Sequence, residues 1–154
     1  MIKIIEGNLF DTTAPIIAHQ VNCKGVMGSG VAAQIKKLYP EVFQQYQDLC
    51  YANRPKILLG TAQPCRTQNG DIIVNLFGQE DFGYNSTIQF TDTSALAQAL
   101  YGLRYFMENK STKVIALPYK IGCGRGNANW DGEVYPLIKS IFLETDIDVE
   151  LWKL

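Results

Sequence analysis

The groups able to do chemistry concentrate at two places in this sequence. The first runs Val21-Asn22-Cys23-Lys24-Gly25-Val26-Met27-Gly28-Ser29-Gly30-Val31-Ala32-Ala33. An apolar run from Pro15 to Val21 precedes it and a helical pattern opens at Val31, so the order is strand, glycine-rich loop, helix. Bare glycine backbone lets a ligand approach closely, and the unpaired N–H groups of a first helical turn attract an anion. The second place repeats that order. Val114 to Pro118 reads as a strand, Gly122-Cys123-Gly124-Arg125-Gly126 as the loop, and a helix follows from about Trp130. Two such loops in matching contexts predict a clamp on a diphosphate rather than two surface turns. Lys24, Lys120 and Arg125 could complement its charge, although Lys24 reads equally well as a solvated surface residue.

Proton transfer has few candidates. His19 is the only histidine and stands three residues before Asn22. Strand alternation puts the two on opposite faces unless the strand ends between them. An imidazole can relay a proton to a leaving group near neutral pH, and a satisfied structural histidine is the equal alternative. Asp81 and Asp92 flank a long polar and aromatic stretch from Gly78 to Phe90 and could activate a water; Asp92 reads more readily as a helix cap. Cys23 and Cys123 sit in the phosphate loops, where a helix N-terminus could lower a thiol pKa, but neither has an adjacent base and both read as packing residues. The four cysteines show no CxxC spacing, so no metal site is expected. Gly28-Ser29-Gly30-Val31-Ala32-Ala33 formally fits a dinucleotide fingerprint. Its turn is too loose, and the acidic residue that should follow would be Asp48, inside a helical pattern. No GK[ST] is present for a kinase-type phosphate loop.

The elements that must position these groups alternate. Ile2–Ile5 and Pro15–Val21 read as strands. Helical spacing covers Val31, Ile35 and Leu38, breaks or restarts at Pro40, and continues to about Asn53. Leu58–Cys65 and Asp71–Phe77 read as a hairpin turning at Asn69-Gly70. A helix capped by Thr91 or Asp92 carries Leu96, Leu100, Leu103, Phe106 and Met107 on one face. Lys113–Pro118 is a strand, Val134–Phe142 a helix with Pro136 in its first turns, and Asp148–Leu154 a final strand. This order argues for an α/β fold with a mixed central sheet covered on both faces, in which ligands bind beyond the carboxyl ends of the strands. With 154 residues one domain over 1–154 is expected, and a net charge of −1 gives no general pull towards nucleic acid or membrane. Lys3 and Glu6 interrupt the first apolar run, so no signal peptide is read, and four reduced thiols suit a cytoplasmic protein.

With both loops and the element order in place, the chain resembles the macro domains. The resemblance spans Gly7-Asn8-Leu9-Phe10, His19-Gln20-Val21-Asn22-Cys23, Gly28-Ser29-Gly30, Pro118 with Ile121-Gly122-Cys123-Gly124, and Leu151-Trp152-Lys153-Leu154. The VNCxGVMGxG loop is similar to the branch that holds terminal ADP-ribose glycohydrolases, DNA ADP-ribosyl glycohydrolase antitoxins and the yeast-type ADP-ribose-1″-phosphate phosphatase. The resemblance implies a three-layer α/β/α sandwich with a cleft for ADP-ribose and no cofactor. It places Asn8 at the adenine, with Leu9 among the ligand-binding residues and Trp152 near the base, where plain core packing serves indole equally well. It puts Asn22 beside the distal ribose, Gly28, Ser29, Gly30 and Val31 on the first phosphate loop, and Ile121, Gly122, Cys123, Gly124, Arg125 and Gly126 on the second. Where glycohydrolases of this branch use a lysine, the chain has Thr87-Ile88-Gln89-Phe90-Thr91, and Gly126 stands where one of them uses an aspartate. His19 matches a histidine of the phosphatase. The resemblance therefore implies a hydrolase of a small ADP-ribose derivative; the catalytic candidates are His19 and Asn22, which it matches, and Asp81 and Asp92, read from their place beside the long loop. A non-catalytic ADP-ribose reader and an ADP-ribosyl glycohydrolase acting on protein or nucleic acid are the alternatives. A monomer is expected.

Overall fold

The computed structural model describes residues 1–154 and builds them on one six-stranded sheet. In chain order the strands are β1 (Ile2–Glu6), β2 (Ile16–Val21), β3 (Ala62–Arg66), β4 (Ile72–Phe77), β5 (Val114–Pro118) and β6 (Asp148–Lys153). They lie side by side as β1-β6-β5-β2-β4-β3. Every neighbouring pair is parallel except β3 with β4, the expected hairpin. Its turn closes through Thr67 N–H to Asp71 O at 2.9 Å, with Gly70 at φ +88°. Parallel strands need covered faces, and β2 is buried on both, Gln20 alone being partly exposed.

The helices are α1 (Gly30–Leu38), α2 (Pro40–Ala52), α3 (Pro55–Leu58), α4 (Thr93–Met107) and α5 (Tyr135–Phe142). One face of the sheet packs Ile17, Val21, Ile73 and Phe77 against Ile35 of α1 and Val42 and Tyr46 of α2. The other packs Ala18, Val74, Leu76, Ile115 and Leu117 against Leu96, Leu100 and Leu103 of α4 and Ile138 and Ile141 of α5. The result is the three-layer α/β/α arrangement with a mixed sheet.

Two segments differ from the sequence expectation. Leu58 to Thr61 is not strand. Pro55, pre-set for a first helical turn, opens the single turn α3, and Gly60 at φ +89° ends it before β3 begins at Ala62. The helix expected from about Trp130 starts instead as a wide turn over Trp130–Val134, where Val134 N–H reaches back five residues to Asn129 O at 3.0 Å. Pro136 follows at once, and its ring would meet the carbonyl of Gly132 in a regular α-turn; the wider winding relieves that.

β2 and β5 are parallel neighbours, pairing Ile16 with Ile115 and Ile17 with Ala116. From β2 the chain goes on to β3 and β4 on one side, and from β5 to β6 on the other. Both glycine loops thus leave the same edge of the sheet at a point where the connections diverge, where open α/β sheets hold ligands.

Candidate functional site

The two loops wall a cleft of about 310 Å³. From β2 and the first loop it is lined by His19, Gln20, Asn22, Gly28, Ser29, Gly30 and Val31. Ile121, Gly122, Gly124, Arg125 and Gly126 line it from the second. Phe82, Gly83 and Tyr84 of the long loop form a third wall. Ser29 caps α1 in extended conformation but its hydroxyl makes no capping bond. Gly30 follows at φ +60°. The first-turn N–H groups are therefore left for a ligand, and no acidic side chain stands in that turn to neutralise them. No carboxylate lines the cleft at all, and its cations are Lys120 and Arg125.

Asn22 braces the first loop. Its Oδ1 accepts from Lys24 N–H at 2.9 Å, its Nδ2 donates to Val26 O at 2.8 Å, and the Tyr46 hydroxyl lies 2.8 Å from both its Oδ1 and its carbonyl O. One amide hydrogen is left for a ligand. β2 has ended at Val21, so Asn22 and His19 both border the cleft despite the alternation of the strand.

The second loop rests on a polar cluster. Gln20 Nε2 donates to Gln79 Oε1 at 2.8 Å and to Thr91 Oγ1 at 2.7 Å, and Thr91 Oγ1 donates to Gly122 O at 2.7 Å. A Cβ on Gly126 would come within 2.0 Å of Thr91 Oγ1 and 2.5 Å of Gly122 O, so only glycine fits there. Asn127, at φ +60°, ties the long loop down by donating to Ile88 O at 2.6 Å and Asn85 O at 3.1 Å. Above the cleft the Arg125 guanidinium lies over the Tyr84 ring, 4.3 Å from its centre.

His19 is 1% exposed, with Nε2 2.7 Å from Asn75 Oδ1. The proton direction follows from a chain of partners. The carbonyl of Gln45 can only accept, so Gln63 Nε2 donates to it at 3.1 Å. Gln63 Oε1 then accepts from Asn75 Nδ2 at 3.0 Å, leaving Asn75 Oδ1 to accept from His19 Nε2–H. Nδ1 is left bare, buried and without a partner. Burial lowers the His19 pKa to about 4, only partly opposed by the Asn75 hydrogen bond, so the ring is neutral near pH 7. A proton-donor role for His19 there is not supported: its one N–H is committed to Asn75.

The two aspartates stand apart from the cleft. Asp92 caps α4, its Oδ1 accepting from Ala95 N–H at 3.0 Å. Asp81 is exposed, with Oδ1 accepting from Phe82 N–H at 2.8 Å, and does not line the cleft. Cys123 is also absent from the lining. Its thiol contacts Ile121 O at 3.4 Å, and burial raises its pKa to about 11. Cys23 is raised to about 12, again by burial first, so neither thiol is a ready nucleophile. No group of three His, Cys, Asp or Glu side chains is placed to hold a metal ion.

Asn8, Leu9 and Trp152 lie outside the cleft as well. Asn8 Oδ1 caps the short turn Leu9–Asp11 by accepting from Phe10 N–H at 2.9 Å, and Leu9 is buried in the core. Trp152 donates from Nε1 to Glu150 Oε1 at 2.9 Å and packs against Gly7. These residues end β1 and β6, on the same carboxyl edge of the sheet as the two loops.

A family model described as "Macro domain" matches residues 18–134, which contain both loops and everything between them. The chain belongs to the macro-domain family. The ADP-ribose 1″-phosphate phosphatase of Lodderomyces elongisporus is 30% identical over 161 residues, covering 96% of this macro domain and 98% of that protein. The DNA ADP-ribosyl glycohydrolase of Mycobacterium tuberculosis is 26% identical over 155 residues, covering 99% of this chain but 42% of that one. This chain thus spans about two fifths of the length of its glycohydrolase relatives. The macrodomain of Mycobacterium tuberculosis DarG superposes with a TM-score of 0.82 at 24% identity, covering 100% of this chain and 98% of that one. Thermosipho africanus DarTG in complex with ADP-ribose superposes at 0.77 and 23% identity, covering 98% of this chain and 41% of that one. At such identities the likeness is one of fold.

Of the residues that line this macro domain's cleft, the sequence reading missed Gln20, Gln79, Phe82, Gly83, Tyr84 and Tyr119. Tyr46, Asn75 and Thr91 support it from beneath and were missed too. The one available signal was the length of the Gly78–Phe90 loop between two ordered elements.

Proposed function

We propose that this macro domain binds ADP-ribose in the cleft and hydrolyses a small derivative of it, the 1″-phosphate. The observation that carries the reading is the pairing of two glycine loops, with the open first turn of α1 between them, around a cleft that contains no carboxylate. Such a site suits a diphosphate. Asn22 has one amide hydrogen for the distal ribose. The ends of β1 and β6, with Asn8, Leu9 and Trp152, lie along the same edge, where an extended ligand would rest its base. The near full-length match to a protein named for the 1″-phosphate supports the choice of substrate. The glycohydrolase reading has less support, since Thr87 to Thr91 contain no lysine. One observation favours a non-catalytic reader: both aspartates expected to activate water lie outside the cleft.

Calorimetric titration with ADP-ribose tests the binding, and phosphate release from ADP-ribose 1″-phosphate separates hydrolase from reader. Gly30→Glu is the matching variant. A Cβ at Gly30 meets nothing within 4 Å, so the fold bears only the left-handed φ, about 1–2 kcal/mol. The new carboxylate stands at the N-terminus of α1 in place of a phosphate. Binding is expected to disappear; undiminished affinity in a folded variant would remove the first loop from the site.

A further inference from the structure

We propose that phosphate is removed by breaking the bond between the anomeric carbon and its oxygen, the whole phosphate departing to Arg125, and not by breaking the phosphorus–oxygen bond. This rests on the reading of the cleft as a site for ADP-ribose 1″-phosphate.

The choice between the two bonds follows from what each leaving group needs. Cleavage at phosphorus expels a sugar oxygen, a poor leaving group that calls for a proton from a positioned acid. The cleft offers neither a carboxylic acid nor a protonated imidazole. Its lining contains no Asp or Glu, and the His19 N–H is held by Asn75. Cleavage at carbon, from the ester that carries one proton on its phosphate (second pKa about 6), expels hydrogen phosphate, a stable dianion. It leaves with the proton it already carries and needs none from the protein. It needs positive charge.

Arg125 supplies that charge from a prepared position. The guanidinium sits over Tyr84, 4.3 Å from the ring centre, and none of its N–H donors is engaged in a hydrogen bond within the protein. Neither ion pair of the protein involves it: one joins the N-terminus to Asp148, the other Lys113 to Asp146. Arg125 and Tyr84 border both the main cleft and a second, outer cavity that also takes in Ser29, Ser86 and Asn127. No acid lines that outer cavity either. A phosphate carried on the distal ribose would find there a cation and the uncapped hydroxyl of Ser29.

The step balances simply. The C1″–O bond breaks and its electron pair stays on the phosphate oxygen. The ring oxygen shares the positive charge that develops at C1″. Water adds to C1″ and the proton it sheds ends on the departing hydrogen phosphate, so the products are ADP-ribose and dihydrogen phosphate. A bond to the anomeric carbon is also the bond that a glycohydrolase breaks, so one chemistry would serve a fold whose relatives carry both names.

The test is hydrolysis of ADP-ribose 1″-phosphate in water enriched in oxygen-18, with the released phosphate weighed by mass spectrometry. Phosphate is the product to weigh, because a sugar hydroxyl at C1″ exchanges with water through ring opening. Unlabelled phosphate is expected. One heavy oxygen per phosphate overturns the inference and leaves the activity standing. No phosphate release, with ADP-ribose still bound, overturns the activity and the inference together. Arg125→Gln should lower kcat about 10- to 100-fold, less than the loss typical of a buried oxyanion donor because Arg125 is exposed. Arg125→Lys should restore part of the rate, and the loss in kcat should exceed any rise in KM. An unchanged kcat in Arg125→Gln would remove Arg125 from the step.

Discussion

Acidifying this protein should weaken it through a single buried imidazole. In the folded chain burial holds the His19 pKa at about 4, against 6.5 for an unperturbed side chain. The unfolded chain therefore takes up the proton first. The stability that His19 contributes is whole above pH 6.5 and is lost as the pH falls towards 4. One pKa unit corresponds to about 1.4 kcal/mol, so the full loss is about 3 kcal/mol, of which about 2 kcal/mol falls between pH 7 and pH 5. Urea unfolding followed by tryptophan fluorescence at those two pH values measures it. Carboxylates titrate in the same window, so the quantity to compare is the difference between wild type and His19→Gln. That variant should lose stability at pH 7 but show a slope shallower by about 2 kcal/mol between pH 7 and pH 5. Because the chain has one histidine, nitrogen NMR of a histidine-labelled sample reads the same ring without ambiguity. It should show Nε2 protonated and Nδ1 bare at pH 7. Parallel stability curves, or a proton on Nδ1, would refute the chain of hydrogen bonds from Gln45 to His19.

Two further perturbations address the loops. Tyr46→Phe removes the buried hydroxyl that holds Asn22 and should cost about 1–3 kcal/mol in thermal or urea unfolding, with weaker ADP-ribose binding by calorimetry. A variant as stable and as tight as wild type would show that Tyr46 does not brace the loop. Gly126→Ala should destabilise by about 1–3 kcal/mol, since its Cβ meets Thr91 and the backbone of Gly122, whereas Gly124→Ala meets nothing within 4 Å and should stay within about 0.5 kcal/mol of wild type. Equal unfolding midpoints for the two would contradict the packing under the second loop.

What was legible in the sequence is what is local. A glycine loop after an apolar strand announces itself within about ten residues, and two of them on parallel neighbours must open on the same edge. The hairpin at Asn69-Gly70 was legible for the same reason. The misreadings at Leu58 and Trp130 come from single prolines, Pro55 and Pro136, whose effect depends on whether the chain is entering a helix or already inside one. The supports of the site were not legible because their partners are remote: 56 residues separate His19 from Asn75, and 71 separate Gln20 from Thr91.

The remote polar partners also decide which chemistry the cleft can do. In the sequence His19 and Asp92 are both candidates for proton transfer. In the fold one is held neutral with its proton turned into the protein, and the other spends its carboxylate on a helix end. What remains facing the ligand is backbone N–H, one amide hydrogen of Asn22, Lys120 and a guanidinium seated on Tyr84. These groups hold and neutralise anions but offer no carboxylate or imidazolium proton. A site of that composition favours a reaction whose leaving group is already a stable anion, and the hydrogen phosphate released from a singly protonated 1″-phosphate is one.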